Sequence, residues 1–205
     1  MRPKSSLPPR KKTTTVPLQG QAAHEIRIIG GQWRRTPLKV LDKPGLRPTP
    51  DRVRETLFNW LGQDLTGWRC VDAFAGTGAL GLEAASRGAV QVIALEQEAE
   101  LSRLLQQQAE RLKADQVQVQ RTDAVAAMQR LPAGGFDVVF LDPPFDGPWF
   151  EPALQAAARL VPAQGWVYLE APVVWSDEAL APFHLQVVRH LKAGAVHAHL
   201  LRRIA

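Results

Sequence analysis

F-D-V-V-F-L-D-P-P-F, residues 136–145, is the stretch from which the architecture can be read outward. Val138 to Leu141 is an unbroken apolar run with Gly134-Gly135 behind it and two prolines ahead, the pattern of a strand buried on both faces. Asp142 stands where that strand ends, and Pro143-Pro144 cannot extend a hydrogen-bonded ladder, so the chain must turn there in a stiff shape. Strands buried on both faces belong to parallel sheets covered by helices, and such sheets bind ligands at their carboxyl edge. A carboxylate, two carbonyls without neighbouring N–H donors and the Phe145 ring would project there. Such a group suits a planar amine, whose hydrogens the acceptors hold while the aromatic stacks on its ring. A proline-rich turn closing a core strand is the plain alternative.

The flanking chain repeats the strand–helix alternation. Strands are predicted at Arg69–Phe74, Val90–Leu95, Val117–Gln120 and Trp166–Leu169, and helices at Ala79–Arg87, Ala99–Lys113, Ala124–Arg130 and Trp149–Leu160. Leu185–His190 and Val196–Leu201 read as an antiparallel pair. With the 138–141 strand this makes an α/β fold, a mostly parallel seven-stranded sheet with right-handed crossovers and helices on both faces. Before the first sheet strand, R-V-R-E-T-L-F-N-W-L has helical periodicity. Thr49 is placed to cap it and Pro50 to occupy its first position, leaving the helix N-terminus to a ligand.

At 205 residues the chain is one domain with an appendage, and 45% hydrophobic with 22% charged residues is ordinary for a globular protein. It has neither an apolar run of about 20 residues, as a membrane span needs, nor the apolar core of a secretory signal. A single cysteine, Cys70, excludes an internal disulfide, fits a reducing cytosol and lies in a predicted strand, where it reads as core. Charge is uneven: residues 1–69 hold 14 Lys/Arg against 5 Asp/Glu, and residues 70–205 hold 11 against 15. A basic first third suggests a polyanionic partner, with a solvated tail as the simpler account of part of the excess. Residues 1–24 are expected to be a disordered basic tail. Residues 25–48 are expected to form a hairpin extension with Gly30-Gly31 at or near its turn, carrying Arg27, Trp33, Arg34, Arg35 and Lys39. Residues 49–205 form the main domain. Basic side chains interleaved with an aromatic fit nucleic acid, although Trp33 reads nearly as well as core.

After the first sheet strand comes D-A-F-A-G-T-G-A-L-G, residues 72–81. Gly76, Gly78 and Gly81 satisfy G-x-G-x-x-G, and Glu96 closes the next strand where a ribose-binding acid belongs. By itself this is equally a dinucleotide fingerprint. Charge separates the two: a pyrophosphate would face Asp72, Glu96, Asp123 and Asp142, which low dielectric makes costly. S-adenosylmethionine (AdoMet) carries an ammonium and a sulfonium that welcome acids, a diol for Glu96 and an amine for Asp123.

Together D-A-F-A-G-T-G-A-L-G, the Glu96 strand end and D-P-P-F resemble the Rossmann-like class I AdoMet-dependent amino-methyltransferases. The segments I-R-I-I-G-G-Q-W-R and G-L-R-P-T-P-D-R-V-R-E-T-L-F-N-W-L are similar to the bacterial small-subunit ribosomal RNA guanine-N2 methyltransferases of the RsmD type. The resemblance runs from about residue 25 to the end. It implies methyl transfer to a specific guanine, position 966 of 16S rRNA, within the assembled or assembling small subunit, by a cytoplasmic monomer without a metal. It places catalysis at Asp142, Pro143, Pro144 and Phe145. Cofactor contacts fall at Thr49, Asp72, Phe74, Ala75, Gly76, Thr77, Gly78, Gly81, Glu96, Gln97, Asp123, Ala124 and Asp142. RNA contacts fall at Arg27, Trp33, Arg34, Arg35, Arg47 and Arg52. His197 and His199 alternate on one strand but lack further ligands, so a metal site is not expected. Trp149, close after Asp142, is a candidate for the rim of the base site. Rival readings are a DNA adenine-N6 methylase, for whose target-recognition region the 60 residues after Phe145 leave little room, an NAD(P)-dependent oxidoreductase, and an AdoMet-binding RNA module without turnover.

Overall fold

The computed structural model describes residues 25–43 and 49–204. The expected basic tail (residues 1–24) and Arg47 lie outside the described residues. Strands β1 (Glu25–Arg27) and β2 (Pro37–Lys39) form a small antiparallel sheet. There follow α1 (Asp51–Trp60), β3 (Arg69–Ala73), α2 (Ala79–Ser86), β4 (Gln91–Glu96), α3 (Ala99–Leu112), β5 (Val117–Arg121), α4 (Ala124–Arg130), β6 (Val138–Leu141), α5 (Phe150–Leu160), β7 (Trp166–Ala171), α6 (Asp177–Leu180), β8 (Leu185–Ala193) and β9 (Val196–Arg203). The main sheet has the order β5-β4-β3-β6-β7-β9-β8; β3 to β7 run parallel, and β8 and β9 form an antiparallel pair beside β7. This is the expected seven-stranded α/β fold. The chain winds outward from β3 to β5 and then returns to β6 on the other side of β3. The switch point therefore lies between β3 and β6, where open sheets leave a crevice. Among the described residues no helix is long and apolar enough to cross a membrane.

Period-two alternation divides the core between the two faces of the sheet. Val138 and Phe140 of β6 face the layer of α1, α2 and α3, while Val139 and Leu141 face that of α4 and α5. All four are fully buried, worth roughly 1.5–3 kcal/mol each for side chains of this size. The Phe140 ring meets Phe58 of α1 at 6.1 Å and Tyr168 of β7 at 6.4 Å. Asp72 is paired with Phe140 across the sheet, and Phe140 with Tyr168. The same alternation therefore sends Asp72, Asp142 and Glu170 toward the α1 side, above an aromatic floor.

One local expectation is corrected. Helix α1 has Pro50 at its N-cap position rather than inside its first turn, and no side chain caps it. Thr49 is buried, and its carbonyl accepts a hydrogen bond from Arg54 Nε at 3.3 Å. Gly30-Gly31 lies in the connection between β1 and β2, near the turn as expected, and residues 28–36 make a loop laid on α2. A Cβ on Gly31 would stand 1.8 Å from the Ser86 carbonyl oxygen, and one on Gly30 would stand 2.4 Å from the Arg87 guanidinium. Gly31 is bare because backbone meets backbone there, whereas at Gly30 the neighbour is the Arg87 side chain. The loop is held by Glu83, whose carboxylate accepts from the N–H groups of Ile29 (2.7 Å) and Gly30 (2.8 Å). Arg87 Nε donates to the same carboxylate at 2.8 Å and Arg54 Nη1 at 3.5 Å.

The stretch after Pro172, nearly patternless in sequence, forms short α6, capped by Ser176 Oγ accepting from the Ala179 N–H at 3.3 Å, and a 3-10 turn at Ala181–Phe183.

Candidate active site

A cleft of about 640 Å³ opens at the carboxyl ends of β3, β4, β6 and β7. Its inner wall is the turn after β3, where Phe74, Gly76 and Gly78 all have positive φ (66°, 53° and 77°). A left-handed phenylalanine costs on the order of 1–3 kcal/mol, and such strain collects at functional sites. The turn is pinned by the Ala75 N–H donating to the Leu95 carbonyl (2.9 Å) and the Gly76 N–H donating to Glu96 Oε2 (2.7 Å). Glu96 Oε1 accepts from the Glu98 N–H at 2.7 Å, so this nearly buried carboxylate is fixed by two backbone donors.

Asp72 is deeper. Its Oδ2 accepts from the Gly81 N–H at 2.7 Å. Burial pushes its pKa up to about 7; that hydrogen bond works against the rise, and the charge of Glu96 adds to it. The three glycines divide their work. Gly76 lines the cleft. A Cβ on Gly81 would lie 2.8 Å from Asp72 Oδ2, and one on Gly78 would lie 2.1 Å from Leu105 Cδ1 of α3. Gly78 and Gly81 thus allow close packing behind the cleft and are not among the residues lining it.

Of the other residues singled out in the sequence, Thr49, Asp72, Phe74, Ala75, Thr77, Glu96, Gln97, Ala124 and Asp142 to Phe145 line the cleft. Asp123 does not; its Oδ1 accepts from the Ala126 N–H at 2.8 Å and caps α4. Trp149 lines the rim, as does exposed Asp146, which as a sequence reads merely as a solvated turn. Phe145 is 39% exposed, its ring centroid 6.5 Å from that of Phe150, which leaves a face available for stacking. Arg27, Arg34, Arg35 and Arg52 are exposed, while Trp33 is half-buried and packs against the core. Arg54, two residues after Arg52 on α1, is fully buried.

The motifs do not contain Lys43, Glu98 or Glu170, which also line the cleft. Glu170 had one signal in the sequence, an acid in the otherwise apolar strand W-V-Y-L-E-A. It is 2% exposed, and its Oε1 accepts from the Tyr168 hydroxyl at 2.8 Å. Among the described residues Lys43 is the lone Lys or Arg lining the cleft, and it forms ion pairs with Glu98 and Glu100. Asp72, Glu96, Asp142 and Glu170 thus make the wall strongly acidic. It fits a ligand bearing ammonium and sulfonium charge and opposes a diphosphate.

Outside the cleft, His190, His197 and His199 stack across β8 and β9, but among the described residues no His, Cys, Asp and Glu group is arranged for a metal. Buried His199 accepts from the Trp175 N–H through Nε2 at 3.1 Å, and burial pushes its pKa down to about 4.

Residues 26–202 match the family model described as Conserved hypothetical protein 95. The chain is 39% identical over 186 residues to Ribosomal RNA small subunit methyltransferase D of Escherichia coli K12, covering 88% of this chain and 91% of that one. The protein of the same name from Haemophilus influenzae is 46% identical over 129 residues, covering 60% of this chain and 66% of that one. A solved E. coli structure, described as the candidate methyltransferase yhhF, superposes with a TM-score of 0.75 at 34% identity, covering 89% of this chain and 99% of that one.

Proposed function

The chain belongs to the family described as Conserved hypothetical protein 95, and on that premise we propose that it methylates the N2 amine of a guanine in small-subunit ribosomal RNA, using AdoMet. At the coarser level, the name its relatives share makes it a ribosomal RNA methyltransferase. The finer reading is carried by one observation: Asp142 and Pro143 stand at the end of β6 inside an acid-walled cleft at the switch point of the sheet.

When bound, AdoMet supplies an electrophilic methyl group on a cationic sulfur. Glu96, held by two backbone N–H groups, has lone pairs left for a ribose diol. Asp72 and the acidic wall favour positive charge, and the Phe74–Thr77 turn lies close to whatever is bound. Asp142 and the Pro143 carbonyl would accept the two hydrogens of the guanine amine, turning its lone pair out of the ring plane. Phe145 stacks on the base, which must leave any helix to enter. The amine nitrogen would become acidic only as it gains the methyl group, and Asp142 would then take its proton. Asp142 therefore need not be a strong base beforehand. Positioning and charge complementarity supply most of the acceleration. Exposed Arg27, Arg34, Arg35 and Arg52 would meet the RNA backbone. The substrate would be 16S rRNA in the small subunit, with guanine 966 as the position the resemblance implies, and the enzyme would act as a monomer in the cytoplasm.

The test is transfer of tritiated methyl from AdoMet to small subunits assembled on unmethylated transcript, with the product nucleoside identified. N2-methylguanosine is expected; N6-methyladenosine, or no transfer to ribosomal RNA, would rule the reading out.

A further inference from the structure

Strands β6 and β7 are parallel neighbours, and Leu141 and Leu169 are their last paired residues. Asp142 and Glu170 follow them directly, leaving adjacent strand ends on one face, and neighbouring strands lie about 4.8 Å apart. Both residues line the same cleft. Glu170 is almost fully buried, and the Tyr168 hydroxyl, itself fully buried, donates to one of its oxygens. That hydroxyl stays protonated, because burial and the Glu170 charge raise its pKa well above its usual value, so it remains a donor. The cleft thus offers two neighbouring carboxylates to an incoming base, one of them oriented from behind.

Nucleobases that carry an exocyclic amine differ in the ring nitrogen next to it. The guanine amine lies between N1–H, a donor, and bare N3; the adenine and cytosine amines each have only a bare acceptor beside them. We propose that Glu170 is the specificity-determining residue of this cleft, accepting the guanine N1–H while Asp142 faces the amine. The assignment rests on the guanine-N2 reading above and explains how an amine-methylating edge selects guanine. A ring acceptor placed against Glu170 would set lone pair against lone pair, and sites built on a hydrogen bond reject analogues that lack it strongly.

Small subunits assembled with the target guanine replaced by 2-aminopurine, which keeps the amine and lacks N1–H, provide the test. The wild-type enzyme is expected to methylate 2-aminopurine at least tenfold more slowly than guanine. In Glu170→Gln the amide can also donate, so the guanine rate should fall at least tenfold and the 2-aminopurine-to-guanine ratio rise at least tenfold. An unchanged guanine rate in Glu170→Gln, or a fall on both bases that leaves the ratio unmoved, overturns the assignment. Wild-type enzyme that transfers nothing to guanine defeats instead the functional reading beneath it.

Discussion

Two sets of buried carboxylates flank helix α2, and their charge is balanced in different ways. Beneath the hairpin, fully buried Glu83 finds its counter-charges within the protein: the guanidinium groups of Arg54 and Arg87 and the N–H groups of Ile29 and Gly30. In the cleft, Asp72 accepts from one backbone N–H and Glu96 from two, and among the described residues neither forms an ion pair with Lys or Arg. The first set is a joint that fastens residues 28–36 to the main domain. The second lines the cleft, where on the proposed reading the charge of AdoMet would balance it. Burial of an acid therefore does not reveal its role; the location of the balancing charge does.

Substitutions can break that contrast at either end. The largest effect is expected at Asp142, where alanine should lower methyl transfer by about a thousandfold or more, mostly in kcat, while AdoMet affinity changes less than about tenfold. Single-turnover and calorimetric measurements separate the two, and near-normal turnover would end the proposed role.

Glu83→Ala should cost about 3–5 kcal/mol of folding stability, because it removes the buried carboxylate shared by two guanidinium groups, leaving Arg54 with Asp51 as its ion-pair partner. Denaturant titration would show it, with release of the 28–36 loop visible as faster amide exchange. Glu96→Ala should behave oppositely, weakening AdoMet by about ten- to a hundredfold, or roughly 1.4–2.8 kcal/mol, with little change in stability. Should Glu96→Ala melt the protein while Glu83→Ala spares it, the distinction between joint and cleft would be reversed.

A smaller effect is expected from pH. The folded pKa of Asp72, about 7, lies above its ordinary value of 3.8. The native state therefore holds a proton between these values that the unfolded chain releases. That contribution to stability is full below about pH 4 and is lost as pH rises through about 7. Cation binding favours the ionised form, so AdoMet affinity should rise up to about tenfold from pH 6 to pH 8. Calorimetry on Asp72→Asn should give a weaker and flatter profile; an unchanged slope would remove Asp72 from the binding electrostatics.

The smallest effect belongs to the hairpin surface. Removing exposed Arg34 and Arg35 together should lower the slope of log affinity for small-subunit RNA against log salt by about 1.5–2, leaving AdoMet binding unaltered. Filter binding at several ionic strengths measures this directly.

The legible parts of the molecule were those governed by local rules. The apolar run at 138–141, the alternation of strands and helices, and the glycine turn followed by Glu96 each follow from periodicity, proline chemistry or backbone freedom, which act over a few residues. Reading the cofactor from charge needed only the positions of acids at strand ends. The rest depends on distant partners. Arg54 follows Arg52 on α1, but the position of Glu83 buries the one and leaves the other exposed. Gly30-Gly31 sits in the hairpin connection as its composition suggests, yet the Ser86 carbonyl is what requires Gly31 to be bare. Asp123 stands at a strand end like Asp72, but α4 starts so soon after it that its carboxylate becomes a cap.

From sequence alone came the fold class, the acid-lined carboxyl edge and the D-P-P-F turn, because propensity, patterning and charge are properties of short segments. Only the tertiary structure decided which glycines face the cleft and which relieve packing, and that Glu83 meets two guanidinium groups while Glu96 lines the cleft. It alone brought Glu170 beside Asp142, from strands 28 positions apart in sequence that become neighbours through the parallel register of β6 and β7. The physical reason is that burial and counter-charge belong to pairs of residues, and folding determines which pairs meet.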